Sequence, residues 1–250
     1  MRGSPLLLIL ASFSLPAPGG PPAPSHPPVQ THPAYAGDPS TPEAARLELA
    51  AGNARFVACR RVRTVETGRD AALRTSLVKG QHPFAVIVTC SDSRVPDNLV
   101  FDQEGGRLFT LREAGNAPDL QGLASVEYAV EHLGSKLVVV MGHTGCGAVK
   151  AVREARGNPL PGHLWAFQAA MAGLLASTPE GPHEDPGAHA ARLEIANARR
   201  QAQALLDRSD LLRRQADRGQ LRVLPAIYHL DSGRVDFLEP ATPLADSSHP

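Results

Sequence analysis

The chain reads as an α/β protein with a central, mostly parallel sheet of four strands, a fifth antiparallel edge strand, and flanking helices. Three observations predict this. Residues 84–89 and 137–141 are short apolar runs rich in β-branched residues, as buried strands are. Stretches with helical spacing of apolar residues alternate with such runs, which calls for a parallel sheet with right-handed crossovers. Asp231-Ser232-Gly233 makes a turn between the last two runs, so the final strand folds back.

With 250 residues, 42% hydrophobic content and zero formal net charge, the chain has material for one soluble domain plus appendages. No basic excess points to nucleic acid, and no apolar run is long enough to span a membrane in the mature protein. Residues 1–25 read as a signal peptide. Arg2 precedes an apolar core around Leu6, Leu7, Leu8, Ile9 and Leu10 that is too short for a spanning helix. Small residues offer cleavage after Gly19, Ser25 or, farther off, Ala36, and no Cys follows for a lipid anchor. The expected location is periplasmic or secreted, or cytoplasmic if the start is mis-assigned. Residues 26–41 are Pro-rich and read as a flexible tether, 42–240 as the globular domain, and 241–250 as a flexible tail.

Thr41-Pro42-Glu43 opens the first helix with a cap-type residue, Pro at the first helical position and an acid in the first turn. That helix should run through Leu47, Ala51 and Ala54 to near Cys59, followed by a polar surface stretch to Lys79. The first core strand ends at Cys90. Val95-Pro96-Asp97 turns the chain into a short helix around Leu99 and Phe101, and a second strand is expected at 107–112. Pro118-Asp119 opens a helix with apolar Leu123, Val126, Val130 and Leu133, closed by Gly134. A third strand runs to Met141. Helices are expected from Gly147, over about 160–175, over 188–206 and over 210–216, with a surface loop at 178–187. The fourth strand is 221–228 and the fifth 235–238.

Two strand ends carry chemistry. Cys90-Ser91-Asp92-Ser93-Arg94 places a thiol, a carboxylate and a guanidinium within five residues of a strand end. Cys binds borderline metals as thiolate, Asp serves as ligand or base, and Arg can fix a carboxylate with two parallel hydrogen bonds. The third strand ends in Gly142-His143-Thr144-Gly145-Cys146-Gly147, an H-x-x-C pair. A lone buried Cys is usually a small hydrophobe. Two strands ending in Cys and His-x-x-Cys, with one other Cys in the chain (Cys59), make coincidence a poor account. Cys90, His143 and Cys146 form a zinc-type donor set, with one position of a tetrahedral ion left open. The same glycine-rich stretch lacks the Gly-Lys-Ser/Thr ending of a phosphate loop.

Cys90-Ser-Asp-Ser-Arg94 with His143-Thr-Gly-Cys146 closely resembles the paired signatures of the β-class carbonic anhydrases. Gly52-Asn53-Ala54-Arg55-Phe56, Gly80-Gln81-His82-Pro83-Phe84 and Arg112-Glu113-Ala114-Gly115-Asn116 also occur in that family's order, as do residues 125–134, 147–151 and 226–233. The resemblance covers about 42–239. It implies strand two on one side of strand one and strand three on the other, so that the three ligands meet at a topological switch point. It also implies one Zn²⁺ per chain on Cys90, His143 and Cys146, and hydration of carbon dioxide to bicarbonate and a proton by zinc-bound hydroxide. Asp92 would accept a hydrogen bond from the zinc-bound water, with Arg94 holding it, or would itself take the fourth zinc position in a closed state. Gly115 and Gln103 would serve the substrate pocket, and the assembly would be a homodimer or homotetramer. Arg107 stands where relatives carry an acid, and Glu113 is more polar than expected beside Arg112. Two other readings stay open: carbon disulfide or carbonyl sulfide hydrolysis on the same scaffold, and a zinc-binding or redox-sensing protein without turnover, which would need no Asp92–Arg94 pair.

Overall fold

Alternation along two central strands decides the architecture. The computed structural model describes residues 37–62 and 71–239; the proposed signal peptide, most of the tether and the tail lie outside the described residues. Strands β1 (Ala85–Thr89) and β3 (Leu137–His143) are buried at every position. Along β1, Ala85 and Ile87 face one core and Val86 and Val88 the other; along β3, Leu137, Val139 and Met141 alternate in the same way with Val138 and Val140. Burying each such branched side chain stabilises the fold by roughly 1.5–3 kcal/mol, so two strands with no solvent face take the centre of the sheet.

The sheet order is β2-β1-β3-β4-β5, with β2 at Leu108–Arg112, β4 at Arg222–Tyr228 and β5 at Val235–Phe237. The first four strands are parallel and β5 pairs antiparallel with β4, as expected. Because β2 and β3 lie on opposite sides of β1, the carboxyl ends of β1 and β3 border a switch point.

One face is covered by α1 (Pro42–Val57) through Ala45 and Leu49, together with Phe101. Thr41 caps α1, its side chain accepting from the Ala44 N–H. The buried face of α1 leaves out the residues named for its course in the sequence. Leu47 is 54% exposed, and Ala51 and Ala54 face solvent, whereas Gly52 and Asn53 are buried. The cause is a close backbone approach: a Cβ at position 52 would lie 1.8 Å from the Phe101 carbonyl oxygen. Asn53 then donates to the carbonyls of Val100 and Gly233 and accepts from the Val235 N–H, tying α1 to the β4–β5 turn. Farther on, α2 (Ala71–Leu77) has no buried residue, in line with a surface segment. A one-turn α3 (Asp97–Val100) follows β1.

The other face is covered by α4 (Leu120–Glu131), capped by Asp119, and by the two carboxyl-terminal helices. Next in sequence is α5 (Gly147–Ala155), directly after the His-x-x-Cys segment. The single helix expected over 160–175 is broken into α6 (Trp165–Ala170) and α7 (Leu174–Ser177). The break falls at Gly173, whose φ of 77° a continuing helix excludes. The long α8 (Pro186–Arg208), capped by Asp185, buries Ala202 and Leu205 beside β3 and β4; α9 (Asp210–Asp217) adds Leu212. Among the described residues no helix is long and apolar enough to cross a membrane.

Candidate metal centre

The two ligand-bearing strand ends are stitched together before the ligands appear. Thr89 Oγ1 donates to the Met141 carbonyl at 3.0 Å, bridging β1 to β3 one residue before Cys90. Ser91 Oγ donates to the Arg112 carbonyl and the Arg112 guanidinium to the Asp92 carbonyl, pinning the Cys90–Asp92 loop to the end of β2. His143 is the last residue of β3, paired with Tyr228 of β4. The Thr144 N–H then donates to the Tyr228 carbonyl, while Thr144 Oγ1 accepts from the Leu230 N–H. Gly145 turns the chain at φ 69°, and Cys146 stands at the amino end of α5.

The outcome is three buried donors, Cys90 Sγ, a His143 ring nitrogen and Cys146 Sγ, all within 4.8 Å of one another. His143 Nδ1 meets the Thr144 carbonyl at 3.0 Å, the contact that assigns the ring proton to Nδ1. That leaves Nε2 with its lone pair, fully buried and without a hydrogen-bond partner. A buried acceptor with no partner is costly unless something cationic meets it. The sulfurs say the same. Hydrogen bonding from Cys146 holds the Cys90 thiol well below its usual range against its burial, with His143 and the Gly115 N–H adding to the shift. Cys146 is raised in turn by Cys90 and by burial, although the Ala148 and Val149 N–H groups of α5 favour its thiolate. For His143, burial opposes the imidazolium, but Cys90 and the Thr144 carbonyl leave it raised overall. Two thiolates and one imidazole suit a tetrahedral dication of the zinc type, and the orphaned Nε2 is what such an ion would meet.

Asp92 stands beside the trio rather than in it. Arg94 Nε donates to Oδ1 at 2.8 Å and Nη2 to Oδ2 at 2.6 Å, and the Arg94 backbone N–H adds a third bond at 3.0 Å. Nη2 also reaches the Gly145 carbonyl at 3.1 Å, so Arg94 spans both ligand loops. Asp92 Oδ2 is 3.8 Å from His143 Nε2. Arg94 holds the Asp92 carboxyl well below the usual carboxylate range, so it is an acceptor only.

Two expected pocket residues do other work. Gln103 is fully buried near the amino end of the sheet, where its amide donates to Glu48 Oε1 and the Phe101 carbonyl and accepts from Arg107. Arg107 continues to Asp38, within the stretch expected to be tether. Arg107 thus engages Gln103, which is not one of the three residues of the metal trio. Gly115 does lie at the centre, but both its polar groups are engaged. Its N–H donates to Cys90 Sγ at 3.4 Å and its carbonyl accepts from Asn197 Nδ2 at 2.8 Å. It supports the Cys90 ligand rather than presenting a free donor. Its φ is 72°, a conformation that strains any residue with a Cβ, and a Cβ there would also displace the Met171 methyl, 2.2 Å away.

Sequence reading missed Glu194 and Asn197. Glu194 Oε1 accepts from the Cys146 N–H at 2.9 Å, and burial pushes its carboxyl up. The available signal was positional: both polar residues lie on the stripe of α8 that buries Leu193, Ala198, Ala202 and Leu205.

A mostly parallel sheet with a buried Cys₂His trio at its switch point, flanked by an Arg-held carboxylate, defines an α/β protein with a candidate metal centre. The carbonic anhydrase family model matches residues 85–235. Carbonic anhydrase 2 of Mycobacterium tuberculosis is 35% identical over 196 residues, 78% of this chain and 92% of that protein. A carbonic anhydrase of Pseudomonas aeruginosa is 37% identical over 175 residues, 67% of this chain and 78% of that protein. The crystal structure of the β-carbonic anhydrase CafA of Aspergillus fumigatus superposes with a TM-score of 0.61 at 29% identity, covering 79% of this chain and 93% of that one. The chain belongs to the β-carbonic anhydrase family.

Proposed function

We propose that the chain catalyses the reversible hydration of carbon dioxide to bicarbonate and a proton, with one zinc held by Cys90, His143 and Cys146. The observation that carries this reading is the buried trio with its unpartnered His143 Nε2, set beside an Asp92 carboxylate gripped by Arg94. Zinc in such a site supplies a Lewis acid that makes water a nucleophile near neutral pH. The chain supplies the orientation. Asp92, ionised and limited to accepting, offers a fixed acceptor at the mouth of the trio, and Arg94 keeps that carboxylate from joining the ligands. A sensory or structural zinc needs neither residue. The test is stopped-flow carbon dioxide hydration with zinc content measured on the same sample. The parent should hold about one zinc per chain and turn over, and Cys146→Ala should lose both. Zinc held tightly in a folded Cys146→Ala chain, or turnover of carbon disulfide without carbon dioxide hydration, would count against the proposal.

The reading extends to assembly and location. A dimer or a multiple of it is supported by the open edge of β2 and by the exposed apolar residues Leu47, Val57 and Val62 on and after α1. Export is supported by the charge and apolar pattern of residues 1–25.

A further inference from the structure

The two sulfur ligands come from loops more than fifty residues apart, tied to neighbouring strand ends by Ser91, Arg112 and Thr144 and to one another by Arg94. Each is held from the same side by α8. Glu194 lies one turn before Asn197 on that helix, and both are buried. The Glu194 carboxylate reaches the segment carrying Cys146: its Oε1 accepts the Cys146 N–H at 2.9 Å, and the Gly145 N–H faces the same carboxylate. The Asn197 amide reaches the segment supporting Cys90: Nδ2 donates to the Gly115 carbonyl at 2.8 Å, and the Gly115 N–H donates to Cys90 Sγ at 3.4 Å. Asn197 is oriented in turn by Gln201 one turn on, whose amide donates to Asn197 Oδ1 at 3.2 Å and to the Ala170 carbonyl at 2.9 Å.

We propose that Glu194 and Asn197 are a paired positioning device on α8 that sets the separation of the Cys90 and Cys146 sulfurs and thereby the affinity of the metal site. The chemistry of the two residues matches opposite tasks. Beside Cys146 the free backbone group is a donor, and the residue supplied is an acceptor. At Gly115 the backbone group facing the helix is an acceptor, and the residue supplied is a donor. Ala202 and Leu205 seat the helix in the core on the sheet, and Leu193 packs in the cluster that holds Cys90 and Cys146, so both bonds start from one anchored element. Burying a carboxyl and an amide is costly where apolar residues would fill the same space, and these two bonds are what offset that cost. Outer-shell partners of this kind typically contribute 10–100-fold to metal affinity.

The inference rests on the zinc reading above, and its test separates the two. Zinc affinity is measured by competition with a chromogenic chelator on the full chain. Cobalt-loaded samples report the thiolate-to-metal charge-transfer bands. Glu194→Ala and Asn197→Asp, the latter equal in size but without the donor, should each weaken zinc binding by at least about 10-fold and shift those bands. Glu194→Gln keeps an acceptor oxygen and should stay near the parent. Leu205→Ala, a cavity on the same helix remote from both bonds, should lower thermal stability while leaving zinc affinity at the parent's value. If Glu194→Ala fails to fold, Glu194→Leu fills the space without an acceptor and gives the same reading. Parent-like affinity in either Glu194→Ala or Asn197→Asp overturns the paired device, as does equal weakening in Leu205→Ala. A parent chain that takes up no zinc overturns the metal reading and this inference with it.

Discussion

Arg94→Ala separates a catalytic metal from one that is merely held. In the parent, three donors fix the Asp92 carboxylate: Arg94 Nε at 2.8 Å, Nη2 at 2.6 Å and the Arg94 backbone N–H at 3.0 Å. Truncation removes the first two and leaves a single bond to Oδ1. Oδ2 then has no donor and starts only 3.8 Å from His143 Nε2, so a small rotation brings it among the ligand atoms. A displacement of about 1 Å in a reacting group costs on the order of 100-fold, and a lost proton acceptor about as much or more. The expected fall in carbon dioxide hydration is at least ~100-fold, or roughly 2.7 kcal/mol of barrier. Thermal stability should hardly move, because the Arg94 side chain is 55% exposed and surface pairs contribute little. Zinc content should be unchanged, since no ligand is touched. Arg94→Lys keeps the charge but not the planar fork, and should fall between parent and Ala. The assay is stopped-flow hydration across pH on samples of measured zinc content, with Asp92→Asn run in parallel. If Arg94→Ala and Asp92→Asn both turned over like the parent at every pH, the pair would be structural and the mechanism wrong.

Gly115→Ala should destabilise the fold by about 2–5 kcal/mol, combining left-handed backbone strain with the clash against Met171, and Met171→Ala in the same chain should recover the steric share; urea unfolding measures both. In metal-free protein, Cys90 is depressed when folded, so its contribution to stability is full above its unfolded pKa and is lost as pH falls towards about 4. Stability should therefore climb with pH on the acid side of the ordinary histidine range, above which the raised His143 opposes further gain, and Cys90→Ser should flatten that acid-side slope in denaturation curves. Sedimentation of active enzyme should give a dimer or a multiple of it, and a fully active monomer at assay concentration would refute the proposed assembly. Intact-mass measurement of protein from its native host should show a start well after Met1, and retention of Met1 with the Leu6–Leu10 core would contradict export.

The central strands were legible because burial on both faces leaves a continuous β-branched run, and nothing else in the chain resembles 84–89 or 137–141. The metal ligands were legible for a related reason. Cys90 with Asp92 and Arg94, and His143 with Cys146, are each held by one strand end, so their spacing survives in a one-dimensional string. The face of α1 was not legible. It is chosen by a helix-to-backbone approach that only Gly52 permits, against a residue 49 positions away. Gln103 had a site-like position in the string, yet Arg107, Glu48 and the Phe101 carbonyl claim it at the far end of the sheet.

Sequence by itself determined which atoms could bind a metal, which strands must be central and where the first and fourth helices begin, because strand burial, ligand motifs and caps are local chemistry. Tertiary structure decided the rest. It turned both polar groups of Gly115 inward and brought Glu194 and Asn197 of α8 against the two ligand loops. Those outcomes depend on distances between segments 25 to 82 residues apart, which hydrogen-bond partners fix only once the sheet order has placed them side by side.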